Sequence, residues 1–319
     1  MLPYESVEEV LHARPSQLLN VSDAHWERLI TARSNPDYAR DFSSSWANGR
    51  AFLLATDGLR DRTPLTIEWK GPQHPPGYDF LPADLRVDHV FLVSCKYLSK
   101  VLANPSPAHL FKRALADRGH RSELDWYLVV AEAEYRVFYS RVRSELANLV
   151  TLPADIELLT VEDRRAIGTL CARVWPGSLA VDYEEFSDAV SRNSAIAWSE
   201  SVPTLSDREL LLWRMIRLNP APYFILGSSG STHLRLRVGT PWDWRQRYLL
   251  REFDIERQSS GQPRVAWSAK VLDRYLASEV DLRGHVEVRW SHGRFCGRPE
   301  AKLYLDTDHS AVPGYVELT

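Results

Sequence analysis

The pattern of apolar and polar residues changes three times along the chain. Residues 5 to 50 carry apolar side chains at helical spacing, with Ser22 and Asn35 where helix N-caps are expected. Short apolar, β-rich runs follow, and amphipathic helical patterns return near residue 98. From residue 223 onward, alternating runs predict strands again. The sequence therefore predicts an α/β or α+β protein with a helical middle and a β-rich C-terminal part.

Between residues 50 and 97 the runs are short and predict paired strands. "RAFLLAT" and "PLTIEWKG" flank the turn-rich "DGLRDRTP", which predicts a hairpin, and "RVDHVFLVSCKY" predicts a third strand. Residues 72 to 83 contain too many Pro and Gly residues for regular structure, so they predict a loop or flap. Residues 122 to 150 predict a long aromatic helix. The C-terminal strands are predicted at "YFILGSS", "THLRLRVG", "RYLLREFDIER", "PRVAWSA", "GHVEVRWSHGRF" and "EAKLYLD".

The composition is that of a globular protein and does not indicate a function. The 319 residues have a formal charge of −3, with 44% hydrophobic and 25% charged residues, as in an ordinary globular protein. Any polyanion site must therefore come from local clustering of charge. Scattered cysteines, the lack of a signal-peptide pattern and the lack of a long apolar run predict a cytoplasmic protein without a membrane partner. Phosphate-loop, dinucleotide, kinase, HExxH and Gly-x-Ser-x-Gly patterns do not occur.

The first candidate chemistry lies in the predicted hairpin. Asp57 follows the first run, and Glu68 and Lys70 share one face of the second, because side chains alternate along a strand. Hydrolysis of a phosphodiester uses a metal held by hard oxygen ligands, and a nearby ammonium group stabilises developing charge. The alternative is structural: Glu68 and Lys70 form a surface ion pair, and Asp57-Gly58 is an ordinary turn.

The spacing Asp57, ten residues, then Glu68-Trp69-Lys70 resembles the motif of the PD-(D/E)xK nuclease superfamily. The resemblance covers about residues 20 to 110 and implies a restriction-endonuclease-like α-β-β-β-α-β core near the N-terminus. It implies a Mg²⁺-dependent endonuclease, in prokaryotic defence or restriction, that cleaves DNA or RNA. By this resemblance Asp57 and Glu68 bind Mg²⁺, Lys70 assists the attacking water, and Glu27 or Asp41 offers a further acid. Thr56 stands where the motif often has proline.

The third predicted strand adds a second set of charged residues. It begins with Asp84 and Asp88 and ends at Ser94-Cys95-Lys96. If this strand is central, Lys96 needs an anionic partner, since burying an unpaired charge is costly. Lys96 is therefore a further catalytic candidate and Asp88 a further metal ligand. An alternative register makes Glu68 the first acid, with Asp88 and Lys96 completing the site. In the alternative without a functional role, Lys96 emerges into solvent at the end of the strand.

The C-terminal part predicts a nucleic-acid face, because arginines alternate with large rings. Guanidinium groups suit phosphates, and indoles suit stacked bases, although core packing is the common use of Trp. The candidate residues are Arg235, Arg237, Trp242, Trp244, Arg245 and Arg289. His285 and His292 flank the strand that carries Glu287 and suggest a His/Glu metal set, but no residue of the pattern is fixed as a third ligand. The second Glu-x-Lys, Glu300 to Lys302, has only Asp281 as a partner acid.

These patterns divide the chain into three predicted segments. Residues 1–150 form a nuclease-like core with flanking helices, residues 151–222 a helical acidic segment, and residues 223–319 a basic, aromatic, β-rich part. The predicted partner is nucleic acid, with DNA ahead of RNA, and a homodimer or a partner protein is left open. The alternative function is a non-catalytic nucleic-acid-binding or protein-interaction adaptor on a nuclease-like scaffold.

Overall fold

A computed structural model describes residues 4–71, 83–97, 101–116, 125–177, 179–229, 232–259 and 261–319. Contacts between residues divide the chain into two compact units. The first unit comprises Met1–Lys100, Ile216–Tyr248 and Asp308–Thr319, and the second comprises Val101–Met215 and Leu249–Thr307. Each unit is made of separate stretches of the chain, whereas each of the three segments predicted from the sequence is one continuous stretch.

The described helices and strands follow in chain order. The helices are α1 (Val7–Ala13), α2 (Asp23–Arg33), α3 (Ala39–Leu54), α4 (Pro107–Lys112), α5 (Trp126–Val130), α6 (Glu132–Glu145), α7 (Val161–Leu170), α8 (Leu179–Ser201), α9 (Leu205–Met215) and α10 (Pro241–Arg247). The strands are β1 (Leu18–Leu19), β2 (Ile67–Trp69), β3 (Leu85–Val87), β4 (Phe91–Tyr97), β5 (Val101–Ala103), β6 (Tyr223–Ser229), β7 (Thr232–Val238), β8 (Tyr248–Ser259), β9 (Pro263–Asp273), β10 (Ser278–Trp290), β11 (Pro299–Leu305) and β12 (Tyr315–Glu317).

The first unit is built on a mixed seven-stranded sheet. Its strand order is β1-β2-β3-β4-β6-β7-β12. β2, β3 and β4 form an antiparallel meander, and β6, β7 and β12 form a second antiparallel group, in which β12 is distant in sequence from β7. β4 and β6 join the two groups by parallel pairing. The sequence prediction of a mixed α and β protein is confirmed at this level.

The expected strand at "RAFLLAT" is wrong, because these residues complete helix α3. Ser44, Asn48 and Phe52 are buried at i, i+4 and i+8, which is the helical period. Phe52 and Leu53 then pack in the sheet core against Val93 and other apolar residues of β3, β4 and β6. An apolar run this short satisfies either period, so the pattern alone does not separate a strand from a helix end.

The single strand predicted at "RVDHVFLVSCKY" is instead a hairpin. Asp88 and His89 have φ values of 51° and 60°, which place two consecutive residues in the left-handed region. Two such residues form the tight turn whose twist matches an antiparallel pair, and Asp and His tolerate this region better than most residues. β3 and β4 therefore pair with each other, with Leu85 opposite Val93.

The second unit combines helices α4 to α9 with a five-stranded antiparallel sheet. The sheet order is β5-β11-β10-β9-β8. The predicted strands of the C-terminal part are confirmed, although β6 and β7 belong to the sheet of the first unit. The predicted helix over 122–150 corresponds to α5 and α6 within the described residues. No helix of the described chain has the length and apolar character required to span a bilayer.

An aromatic cluster fills the core of the second unit. Phe138 on α6 is fully buried and its ring lies 5.1 Å from that of Trp175 and 5.5 Å from that of Phe186. Tyr135, one turn earlier, stacks on Phe186 with centroids 5.0 Å apart. The aromatic residues that recur at helical spacing in this segment thus serve to pack the core.

Phe138→Ala is expected to lower the free energy of unfolding by about 3–5 kcal/mol, because it opens a cavity among rings that cannot collapse onto it. Val137→Ala on the same helix is the matched control, since Val137 is 57% exposed and its loss is expected to change stability by no more than about 0.5 kcal/mol. Urea denaturation of both variants measures the difference. Equal, small effects would contradict the assignment of this cluster as the core.

Candidate functional site

Glu68 lies at the centre of an ion cluster on β2. Its carboxylate accepts hydrogen bonds or ion pairs from Lys70 (Nζ to Oε1, 3.0 Å), Arg86 (Nε to Oε2, 2.6 Å) and Asn20 (Nδ2 to Oε1, 3.2 Å). The side chain of Lys70 is only 1% exposed and that of Glu68 13% exposed. The predicted partners Glu68 and Lys70 thus meet as an ion pair that is mostly buried, and both carboxylate oxygens are engaged.

The surroundings of Glu68 favour its ionised form. Burial alone would raise its pKa, but hydrogen bonds from Lys70 and Arg86 and the charges of both groups outweigh burial and lower the pKa below its ordinary value of 4.5. The cluster therefore contributes to stability at neutral pH, where Glu68 carries its charge.

Asp57 lies elsewhere, because helix α3 replaces the expected first strand. It is an exposed residue in the turn that follows Leu54. Gly58 beside it is required by that turn, since a Cβ there would lie 2.1 Å from the carbonyl oxygen of Phe52. Glu27 and Asp41, the helix acids, are also exposed. The geometry on which the Asp57 prediction depended is not formed.

Asp88 stabilises a turn. Its Oδ1 accepts hydrogen bonds from the backbone N–H groups of Leu65 (2.6 Å) and Thr66 (3.1 Å), and its Oδ2 pairs with Arg62 at 2.6 Å. Burial would raise the pKa of Asp88, but these hydrogen bonds and the Arg62 charge lower it. The carboxylate therefore acts here as a structural cap.

The predicted metal ligands do not converge. Within the described ranges, no group of three or more His, Cys, Asp or Glu side chains is placed to hold a metal ion. This includes Asp57, Glu68 and Asp88, and also His285, Glu287 and His292. The requirement for Mg²⁺ remains a prediction.

One face of the first sheet collects the charged side chains of β2, β3 and β4. Cross-strand register puts Glu68 opposite Arg86, and Lys70 N donates to Asp84 O at 2.9 Å. Because side chains alternate, the face opposite the α3 core carries Glu68, Lys70, Asp84, Arg86, Ser94 and Lys96. We call this set the charged face.

Asp84 and Ser94 meet on the charged face. The Oδ2 of Asp84 accepts a hydrogen bond from the backbone N–H of Cys95 at 2.6 Å and lies 3.4 Å from Ser94 Oγ. Ser94 is 2% exposed, and Lys96, two residues further along β4, is half-buried on the same face. Cys95 points to the α3 side, and its burial raises the pKa of its thiol to about 12.

The predicted nucleic-acid residues have unequal surroundings. Trp244 is 1% exposed and belongs to the core, whereas Trp242 is 70% exposed beside it in α10. Arg235 donates from Nε to Asn48 Oδ1 at 2.9 Å on the α3 side of the sheet. Arg237 is half-buried in β7, and Arg245 is exposed in α10.

Arg289 belongs to the second unit and forms part of an ion ladder on its sheet. Its Nε lies 3.2 Å from Glu300 Oε1, which also pairs with Lys302 at 3.4 Å. On the same sheet His285 pairs with Asp306 at 3.0 Å. Glu300 and Lys302 of the second Glu-x-Lys thus pair with each other, and His285 has Asp306 as its carboxylate partner.

Two residues of this region had weak or no sequence signals. Asp84 was one acid among several before the third predicted strand, and its position opposite Ser94 depends on the hairpin turn at Asp88 and His89. The charge of Arg217, which precedes β6, helps to lower the pKa of Lys96, and no motif singled it out. Asp84 reaches Ser94 through a local hairpin, whereas β6, which follows Arg217, pairs with β4 across more than a hundred residues.

Comparisons of the chain with protein-family models, with curated proteins and with solved structures gave no match.

Glu68→Gln is expected to lower the free energy of unfolding at pH 7 by about 2–4 kcal/mol, because it removes the carboxylate charge that pairs with the buried Lys70 ammonium. The folded-state pKa of Glu68 is lowered, so its contribution is complete above pH 4.5 and is lost as the pH falls through the folded-state value. Urea denaturation at pH 7, 5, 4 and 3 should show the gap between wild type and variant narrowing only below about pH 4.5.

Asp57→Asn is the matched control for this measurement, since it removes a carboxylate charge from an exposed turn. Its effect is expected to stay within about 0.5 kcal/mol at every pH. A neutral effect of Glu68→Gln at pH 7 would refute the structural role of the ion cluster.

Proposed function

We propose that the protein binds the phosphodiester backbone of nucleic acid, DNA ahead of RNA, on the charged face of a nuclease-like sheet. The observation that carries this proposal is the meeting of Asp84, Ser94 and Lys96 on one face of the β3–β4 hairpin. This proposal is the alternative drawn from the sequence, a non-catalytic nucleic-acid-binding protein, with the binding site at Asp84, Ser94 and Lys96 in place of Asp57.

The order of elements supports a nuclease-like scaffold. Helix α3 is followed by the meander β2-β3-β4, and after further helices the chain returns as β6, parallel to β4. This is the α-β-β-β-α-β order that the sequence motif implied, although the three strands begin later than expected. Ligands of open α/β sheets bind at the carboxyl ends of parallel strands, and Lys96 lies near that end of β4.

The residue types on the hairpin support phosphate chemistry. Asp84 precedes β3, and Ser94-Cys95-Lys96 on β4 resembles the Asp/Glu-x-Lys motif with serine in place of the second acid. A lysine and a hydroxyl group are donors suited to phosphate oxygens, whereas the second acid of the motif would serve a metal. The hairpin thus has the lysine of the Asp/Glu-x-Lys motif and a hydroxyl group, both of which suit phosphate, and lacks the second acid.

The acids of this face do not fit a Mg²⁺ ion of the expected kind. Glu68 has both oxygens engaged by Lys70, Arg86 and Asn20, and Asp84 Oδ2 accepts from Cys95 N and Ser94 Oγ. A metal bound by Glu68 would have to displace its donors, and a metal bound by Asp84 would share that carboxylate with two hydrogen-bond donors. The proposal is therefore binding, with no step assigned to a metal.

A second candidate is Mg²⁺-dependent hydrolysis of the phosphodiester, and one observation favours it. Asp84 is an acid of the hairpin and lies on the same face as Lys96. The charges of these two groups interact. Asp84 is then the residue on which activity depends, in place of Asp57.

Binding and cleavage are separated by one experiment on the purified full-length protein. Labelled single- and double-stranded DNA and RNA are titrated in EDTA and in Mg²⁺ over a series of salt concentrations. We expect duplex DNA binding in EDTA that weakens steeply with salt, and no cleavage in Mg²⁺, since phosphate contacts release counterions. Absence of binding to all four nucleic acids at low salt would refute the proposal.

Asp84→Asn distinguishes the two candidates in the same assay. The amide oxygen can still accept from Cys95 N, so the fold is expected to persist, and removal of a negative charge should leave DNA binding equal or tighter. If the protein cleaves in Mg²⁺ and Asp84→Asn abolishes cleavage while Asp57→Asn does not, the hydrolase is the correct function.

A further inference from the structure

The second unit contains a cleft that is separate from the charged face. It is bounded by α5, the short 3-10 helix Ile156–Leu158, α7 and the loop between β10 and β11. Its volume is about 580 Å³, which lies within the range of small-molecule sites in proteins. Its charged and apolar lining includes Asp125, Leu128, Ile156, Glu157, Arg164 and Arg298. We call it the α5–α7 cleft.

Close packing of α7 against the β10–β11 loop builds one wall of the cleft. A Cβ at Gly168 would overlap Cys296 Sγ and lie 2.8 Å from the carbonyl oxygen of Arg294, so the helix lies directly on the loop. Arg164 Nη1 lies 3.5 Å from Phe295 O, and Cys296 Sγ lies 3.9 Å from Arg164 O. Phe295 is fully buried in the aromatic cluster of the unit. The wall is therefore anchored in the core, which makes the cleft a preformed one.

Asp125 is an acid of the cleft to which no cation is bonded. Its Oδ1 accepts a hydrogen bond from Tyr127 N at 3.0 Å as the N-cap of α5, which fixes the position of the carboxylate. Burial raises the pKa of Asp125, and the hydrogen bonds from the α5 backbone and the charges of Arg164 and Arg298 do not offset it. Among the described residues, Asp125 forms no ion pair. A cationic group of a ligand beside it would favour its ionised form.

The other charged groups of the cleft leave an excess of positive charge. Arg164 is half-buried on α7, and Arg298 is exposed at the end of the loop. In the part of the chain that the structure describes, the Arg298 side chain forms no ion pair or hydrogen bond. Glu157, the second acid of the lining, is already paired with Arg136 at 2.7 Å. Two guanidinium groups thus stand against the one carboxylate of Asp125.

Apolar side chains complete the lining beside the acid. Ile156 is 2% exposed, and Leu128 and Val129 are half-buried on α5. These two residues follow Asp125 by three and four positions, so they lie on the same side of the helix one turn later. The cleft therefore places a carboxylate next to an apolar wall.

We propose that the α5–α7 cleft binds an α-amino acid with an apolar side chain. The carboxylate of this ligand accepts from Arg164 and Arg298, its ammonium group pairs with Asp125, and its side chain lies on Leu128 and Ile156. Guanidinium groups bind carboxylates through paired hydrogen bonds, and an apolar wall favours an apolar group.

A zwitterion suits this set of charges better than a ligand with one charge. A simple organic anion would leave Asp125 without a bonded cation, and a simple amine would meet two guanidinium charges. The inference does not rest on the proposed function, since the cleft belongs to the second unit and the charged face to the first.

Ligand analogues test which groups of the ligand are recognised. L-Leucine, L-isoleucine and L-phenylalanine are titrated at millimolar concentration into the purified full-length protein, followed by calorimetry and by melting temperature. We expect at least one of them to bind and to raise the melting temperature. Its N-acetyl derivative, which lacks the ammonium group, and its amide, which lacks the carboxylate, should each bind about ten-fold or more weakly.

Three outcomes of this titration would overturn the inference. Failure of all three amino acids to bind is the first. Equal binding of the N-acetyl derivative would indicate a site for simple anions, and equal binding of the amide would indicate a site for amines.

Asp125→Asn and Arg298→Gln assign the two charged contacts. Asparagine caps helices as well as aspartate does, and Arg298 is exposed, so both variants should melt near the wild-type temperature without ligand. Asp125→Asn should weaken binding of the amino acid about ten-fold and leave binding of its N-acetyl derivative unchanged. Arg298→Gln should weaken binding of the amino acid and of the N-acetyl derivative and leave binding of the amide unchanged.

Arg165→Gln is the matched control, because Arg165 is exposed on α7 next to Arg164 and does not line the cleft. It should bind the amino acid as wild type does. Wild-type affinity in both Asp125→Asn and Arg298→Gln would overturn the inference. Because Arg298 is exposed, its variant decides the question even if Asp125→Asn lowers stability.

Discussion

The parallel pairing of β4 with β6 is the constraint on which the first unit depends. It aligns Val93 with Phe224 and continues to Tyr97 and Ser228, and so joins two antiparallel groups of strands that are distant in sequence. Helix α3 packs its buried residues across the same junction. Asn48 reinforces it by donating from Nδ2 to Gly227 O at 2.9 Å. Loss of this pairing would separate the charged face from β6 and β7.

The charges near this junction fall into two kinds with different consequences. Glu68, Lys70 and Arg86 satisfy one another, and a mostly buried network of this sort is explained by the fold alone. Lys96 forms no ion pair or hydrogen bond within the described residues, although the charge of Asp84 on the same face partly offsets the lowering of its pKa by burial. The first group is therefore a structural element, and Lys96 is the cation of this face to which we assign the proposed phosphate.

The sequence predicted the strand content well and the site only in part. Alternation identified the C-terminal strands, because each has one buried and one polar face, as the burial of β9 and β11 shows. The assignment of "RAFLLAT" failed because a short apolar run fits two periods. The site predicted around Asp57 lost its geometric basis with it, since that geometry assumed a strand there. Lys96 was identified, but the strand beside it was beyond reach, because β4 pairs with β6 across more than a hundred residues.

The most direct measurement is a crystal structure of the protein with a short DNA duplex, since it locates the bound phosphates without assuming a site. The account predicts a backbone phosphate within hydrogen-bonding distance of Lys96 Nζ on the charged face, with Glu68 still paired to Lys70. Duplex bound elsewhere, with Lys96 in contact with no phosphate, would contradict it.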